Sequence, residues 1–288
     1  MIGRLKQRLI VVGRMVLLRV RGRVRHHDRY GLSYWIWDYG RALSTRASEP
    51  RTDDSGVIEQ LRAVYRVVQA KPGHAAGGQI SIDVGAYIGV ITLAMAEFGS
   101  TNQLVHSFEA DDLNFGHLQE NISACSVQNV SAHKMAISDY SGTAVFTRNR
   151  DHGTNHLGNP IGLEDDSATV YEVPVTTLDS FAEKNDIDVI DVLKIDVEGS
   201  DINVLKGAAR LLSGGHIGAV TVEVPLSADV RTEMTDLFLS HGYLTSYIVR
   251  NSAHLIDSTE TAFSSQKRTP LNMIAARREI AEQLGIAG

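Results

Sequence analysis

Asp83, Gly85 and Gly89 stand close together in Asp83-Val84-Gly85-Ala86-Tyr87-Ile88-Gly89, at the end of the apolar run QISIDVGA. Two glycines permit a tight turn and let a ligand approach the backbone, while the acid accepts hydrogen bonds from an ammonium or hydroxyl. The spacing is Gly-x-x-x-Gly. It is neither the G-x-G-x-x-G of dinucleotide sites nor a P-loop, which would need Gly-Lys-Ser/Thr. Nothing in this turn suits a pyrophosphate or a triphosphate. A second apolar run, QLVHSFEA, ends at Glu109, where an acid can hold both hydroxyls of a ribose. The turn and Glu109 together describe a site for a nucleoside with a cationic tail, a description that S-adenosylmethionine meets.

Further acids gather at later run ends. VIDVLKIDV closes on Asp196 and Glu198, two positions apart and so on one side of an extended chain. IGAVTVEVP closes on Glu223. Three carboxylates near one crevice are costly unless they bind protons, a cation or substrate hydroxyls. A magnesium ion held by Asp196 and Glu223 would explain the clustering, since hard carboxylate ligands suit it. Pairing of Glu223 with Lys194 or Arg231, and capping of a helix by Glu198, are the structural alternatives. The polar stretch FTRNRDHGTNHLGNPIGLEDDS adds His152 and His156, whose neutral imidazoles could take a proton near pH 7.

The elements that must position these residues alternate. Apolar runs of strand length take turns with helical segments such as GVITLAMAEFG, DLNFGHLQENISAC and DVRTEMTDLFLSHG. The pattern predicts an α/β fold, a doubly wound and mostly parallel sheet of seven strands, with ligands outside the carboxyl ends of the strands. Residues 141–170 break the rhythm and read as a long irregular loop. Residues 57–288 form the expected catalytic domain, and 1–56 a basic extension with a polar linker over 44–56. In the extension, Ile2, Leu5, Leu9, Val12, Val16 and Val20 recur at helical spacing. They predict an amphipathic helix, docked on the domain or a second subunit, or resting on anionic lipid. The aromatic segment GLSYWIWDYG reads as a clasp or a stacking platform.

The chain has 288 residues, 43% of them hydrophobic and 22% charged, an ordinary globular composition. Its one cysteine, Cys125, excludes an intramolecular disulfide and fits a reducing, cytoplasmic setting, extending to the inner membrane face if the helix meets lipid. Residues 1–30 hold nine Lys and Arg against one acid, whereas the whole chain carries a net charge of −6. The body is therefore acidic, which excludes a nucleic-acid partner. The missing glycine pattern speaks against a dehydrogenase.

IDVGAYIGVIT, VHSFEADDLNFGHLQEN, AISDYSG and above all VTTLDSFAEKNDIDVIDVLKIDVEGSDINVLKGA resemble the FkbM family of S-adenosylmethionine-dependent methyltransferases. The resemblance covers about residues 78–225. It implies a Rossmann-like class I methyltransferase fold and O-methyl transfer to hydroxyls of sugars, glycolipids or polyketides. Tyr87 stands where the family usually has Asn, Ala110 where Pro is common, and Ser200-Asp201 where Ala-Glu is usual. The expected cofactor contacts are Asp83, Gly85, Ala86, Tyr87 and Gly89 at the methionine end and Glu109 with Ala110 at the ribose. Ala136, Ile137 and Asp139 flank the adenine, and Asp196 completes the set. The expected catalytic residues are Asp196, Glu198, His152 and His156. The expected partner is a small-molecule or glycan hydroxyl substrate, with a homodimer as a further expectation. A non-catalytic nucleoside-binding adaptor is the alternative from another class.

Overall fold

The structure is a computed structural model, and it describes residues 9–12, 15–20, 23–27, 33–37, 52–70, 78–149, 155–158, 168–224, 227–248, 255–257 and 272–286. The first described elements are four strands, β1 (Leu9–Val12), β2 (Met15–Val20), β3 (Arg23–His27) and β4 (Ser33–Trp37). They form an antiparallel sheet in sequence order. Over residues 9–12 and 15–20 the amphipathic helix that the spacing predicts is therefore corrected to strands, while Ile2 and Leu5 of that expectation lie outside the described residues. The segment is rich in Val and Leu, and Gly13-Arg14 and Arg21-Gly22 separate runs that pair from Val12↔Met15 and Val20↔Arg23. Two-residue glycine-containing connections favour hairpins over a continuous helix.

A helix does precede the main sheet. It is α1 (Thr52–Gln69), which begins inside the stretch 44–56 that reads as a linker. There follow β5 (Gln79–Val84), α2 (Val90–Phe98), β6 (Gln103–Phe108), α3 (Asp112–Ala124) and β7 (Val130–His133). Next come β8 (Ala136–Ile137), β9 (Gly142–Arg148), β10 (His156–Leu157) and β11 (Thr169–Thr176). The chain continues through α4 (Leu178–Lys184), β12 (Ile190–Ile195), α5 (Asp201–Lys206), α6 (Ala209–Ser213) and β13 (Ile217–Glu223). It closes with α7 (Ala228–Ser240), β14 (Tyr243–Ile248), β15 (Leu255–Asp257), β16 (Asn272–Arg277) and α8 (Arg278–Leu284).

The main sheet runs β15-β14-β16-β13-β12-β5-β6-β7. Its centre, from β7 to β13, is parallel, and β16 inserts antiparallel between β13 and β14. Seven strands match the expected α/β sheet, and the three-residue β15 adds an eighth at the edge. All six residues of β12 are buried, as a strand covered by helices on both faces must be. One apolar layer gathers α4 to α7 around Leu193, Ile195, Val220 and Phe238. The other gathers α1, α2 and α8 around Leu61, Met95, Val192 and Ile280. Burying each such side chain contributes about 1.5–3 kcal/mol, so these two layers hold the strand ends in place.

The region expected as an irregular loop is partly a second sheet. β9 pairs antiparallel with β11 from Gly142↔Val175 to Arg148↔Thr169, with β10 and β8 on either side. Its inner face buries Ala144, Phe146, Val173 and Val175, with Ala110 packed against them. The inserted sheet thus lies on the turn that follows β6. β4 runs alongside α3, the helix after the same turn.

Candidate active site

Strand order reverses between β5 and β12, and ligands in open α/β sheets bind outside such a point. There β5 and β12 align as Asp83↔Lys194 and Val84↔Ile195, so the glycine turn and Asp196 emerge side by side. Gly85 (φ +79°) and Gly89 (φ +93°) both take the left-handed conformation that the turn requires. Tyr87 takes it too, at φ 51°. Asn tolerates that region better than most side chains, a physical reason for its frequency here in the family. The Gly85 and Ala86 amides both donate to the Phe108 carbonyl, tying the turn to the end of β6.

Asp83 is fully buried. Its Oδ2 accepts from Thr92 Oγ1 at 2.6 Å, and its Oδ1 lies 3.4 Å from Lys194 Nζ. The same ammonium lies 3.4 Å from Asp196 Oδ2 and donates to the Gly85 carbonyl at 3.2 Å. Burial alone would depress the Lys194 pKa, but Asp196 and Asp83 reverse this and hold it above the usual lysine value. Lys194 is therefore the built-in counter-ion of the site, and the sequence reading did not assign it that role. Its signal was there: one lysine inside a buried apolar strand, two residues before an acid.

Asp196 is 47% exposed and reaches the crevice. The turn beyond it places Glu198 at φ 48° and Gly199 at φ 87°. Asp201, also missed by the sequence reading, is buried and accepts from the Val197 amide at 3.2 Å. Burial first, and Asp196 second, push its carboxyl up to about 6. Glu223 ends β13, one position beyond the pair Ile195↔Val222, so it neighbours Asp196. Burial, then repulsion by Asp196, Asp201 and Glu198, raises Glu223 to about 8.

Glu109 is buried at the end of β6. Its Oε2 accepts from the Tyr87 amide and its Oε1 from the Asp111 amide, both at 2.8 Å. Burial raises its carboxyl to about 7, partly offset by these bonds. Ala136 and Ile137 form β8 beside Val175 and Thr176, and Asp139 follows, exposed. His156 lies on β10 of the inserted sheet, paired with Thr147, rather than at the main strand ends. His152 lies outside the described residues.

Two groups implied by the sequence can be tested against these side chains. S-adenosylmethionine fits: the donor set offers a carboxylate for hydroxyls, a half-exposed acid for a cation, and a glycine turn with bare backbone. Magnesium does not fit. Among the described residues no three His, Cys, Asp or Glu side chains converge as ligands. Lys194 already supplies the cation beside Asp196, so the expected Asp196–Glu223 metal pair is corrected to an acid pair next to a lysine.

This sheet order, with a glycine turn and acids at the strand ends, defines a class I methyltransferase fold. A sequence profile described as the Methyltransferase FkbM domain matches residues 83–245, more than half of the chain. The chain belongs to this family, whose members transfer methyl groups from S-adenosylmethionine. No curated protein matches it significantly. Among solved structures it is similar to a methyltransferase FkbM from Methylobacillus flagellatus KT, at 16% identity and TM-score 0.46, covering 81% of this chain and 65% of that one. It is also similar to a precorrin-6y C5,15-methyltransferase from Geobacter metallireducens GS-15, at 10% identity, TM-score 0.40, and 76% and 88% coverage. A third is an rRNA methylase from Streptococcus thermophilus, at 11% identity, TM-score 0.41, and 80% and 97% coverage.

Proposed function

We propose that the chain is an O-methyltransferase acting on a hydroxyl of a sugar, glycan or glycolipid, in the cytoplasm. The observation that carries this reading is the placement of Glu223 beside Asp196 at the ends of the paired strands β12 and β13. An ionised carboxylate only accepts hydrogen bonds, so the exposed Asp196 and Glu198, with Glu223 beside them, suit a hydroxyl-rich acceptor and repel phosphates. The resemblance of the Lys-Ile-Asp-Val-Glu-Gly block to a family that methylates hydroxyls of sugars, glycolipids or polyketides is consistent with a hydroxyl acceptor.

When bound, S-adenosylmethionine supplies a methyl group on a sulfonium sulfur. Glu109 holds the ribose hydroxyls. The Gly85 turn offers its backbone to the methionine portion, and Asp196, steadied by Lys194, faces the cationic end. Glu223 would accept the proton of the substrate hydroxyl as that oxygen takes the methyl group and the methyl–sulfur bond breaks, leaving a neutral thioether. A general base works best with a pKa near the working pH, which burial first, and the neighbouring acids second, give Glu223.

The expected result for Glu223→Gln is a turnover loss of about 100-fold with the fold retained. Wild-type turnover should rise with pH through about 8, and the variant should lose that limb. The measurement is labelled-methyl transfer to a panel of glycan acceptors from pH 6 to 9. Near-normal turnover with an unchanged limb removes Glu223 from the base role. Stability gives a second check. A folded carboxyl raised from 4.5 to about 8 binds its proton more tightly than the unfolded chain does. Stability therefore falls as pH climbs across that window, and Glu223→Gln should flatten the fall.

A further inference from the structure

Glu109 is gripped from two sides, and one grip is backed by the inserted sheet. Tyr87 supplies an amide to Oε2 from the glycine turn, and Asp111 supplies one to Oε1. Asp111 is itself fully buried. Its Oδ1 caps α3 by accepting from the Leu113 and Asn114 amides at 2.9 Å. Its Oδ2 accepts from Tyr171 Oη at 2.8 Å and from Arg148 Nε. Arg148 also donates from Nη2 to Tyr171 Oη at 3.0 Å, and its guanidinium lies 5.0 Å from the centre of the Tyr171 ring. Arg148 ends β9 and Tyr171 lies in β11, so both come from the inserted sheet.

We propose that Arg148, acting through Asp111, is a positioning residue that fixes the Glu109 carboxylate for the cofactor's ribose. This rests on reading Glu109 as the ribose acid. The physical basis is charge. A buried carboxylate without a partner is strongly unfavourable, and Arg148 neutralises the Asp111 charge two residues from Glu109. The groups bearing on Glu109 are Asp111 from its own turn, Asn114 of α3, the Tyr87 amide, and, behind Asp111, Arg148 and Tyr171. From β7, the His133 carbonyl accepts the Glu109 amide. Among these, Asp111 alone places a charge directly against Glu109, and Arg148 sets how much of that charge is felt.

The test is calorimetric titration of the full chain with S-adenosylhomocysteine from pH 5.5 to 9. Wild-type affinity should rise with pH as Glu109 ionises around 7. Arg148→Met exposes Glu109 to the bare Asp111 charge, so the midpoint should move up by about one unit, weakening binding at pH 7 by about tenfold. Asp111→Asn keeps the helix cap and removes the charge, so its midpoint should move down. The double variant should return close to wild type. A structural role alone would weaken binding in both single variants without opposite shifts. The Glu109 titration in the ligand-free chain, followed by carboxyl carbon NMR and assigned with Glu109→Gln, should show the same pattern. If Arg148→Met does not fold, Asp111→Asn and the double variant still decide. Midpoints that stay fixed, or move the same way, overturn the proposal alone. A wild-type chain that binds no S-adenosylhomocysteine at any pH overturns the ribose reading of Glu109 and the proposal with it.

Discussion

Replacing Lys194 with methionine is expected to destabilise the chain by about 3–5 kcal/mol at pH 7, with S-adenosylhomocysteine binding lost as well. Lys194 lies in β12, all six residues of which are buried, and its side chain is only 7% exposed. Its ammonium faces Asp83, Asp196 and the Gly85 carbonyl together. Methionine fills a similar volume, so packing changes little and the lost charge dominates. Asp83 would then remain fully buried with Thr92 as its hydrogen-bond donor and no counter-ion. Asp196 is half exposed, and water would screen it better. The penalty therefore falls mainly on Asp83. Adding Asp83→Asn should recover at least half of the lost stability, because a neutral pair replaces a stranded charge. Denaturant unfolding of the single and double variants measures this. A loss below about 1 kcal/mol for Lys194→Met, or no recovery in the double variant, would show that the lysine is not the counter-ion the site depends on.

The main sheet was legible because buried parallel strands leave a plain mark: short apolar runs, each closed by an acid or a glycine. Asp83, Glu109, Asp196 and Glu223 were found that way, and all four emerge at the carboxyl ends of their strands. The first 27 residues misled because helical spacing of Leu9, Val12, Val16 and Val20 coexists with strand-length Val-rich runs. Gly13 and Gly22 were the discriminating residues, since a glycine between short Val-rich runs favours a hairpin over a continuous helix. The inserted sheet was hidden for a different reason. Its pairing brings Arg148 to Asp111 across 37 positions and Tyr171 to Asp111 across 60, and no local period records such contacts. The magnesium expectation failed through a nearby cation of the chain's own. Asp196 and Glu223, acids at the ends of adjacent strands, read as ligands until the register shows Lys194 lying opposite Asp83 and reaching both Asp83 and Asp196.

Gly85→Ala is expected to do nearly as much harm as the lysine change, by a different route. At φ +79° any β-carbon is strained, at a cost of about 1–2 kcal/mol. Space is the larger obstacle. A β-carbon there would lie 1.8 Å from the Asp196 carbonyl oxygen and 2.8 Å from its carbon, and backbone cannot turn aside as a side chain can. Relief requires the end of β12 to move away from β5. That movement breaks the Asp196 amide bond to the Val84 carbonyl and carries Asp196 away from Lys194. Gly199 provides the control. It has a similar φ of +87° but open space where a β-carbon would go, and it belongs to the turn just beyond Asp196. Gly199→Ala should therefore show the strain alone, about 1 kcal/mol and little change in binding. Gly85→Ala should cost at least twice as much and weaken S-adenosylhomocysteine binding by more than tenfold. Unfolding and titration of the two variants side by side separate strain from contact. Equal losses would mean that β5 and β12 need not touch for the site to form, whereas a large excess at Gly85 would tie cofactor binding to that single close approach.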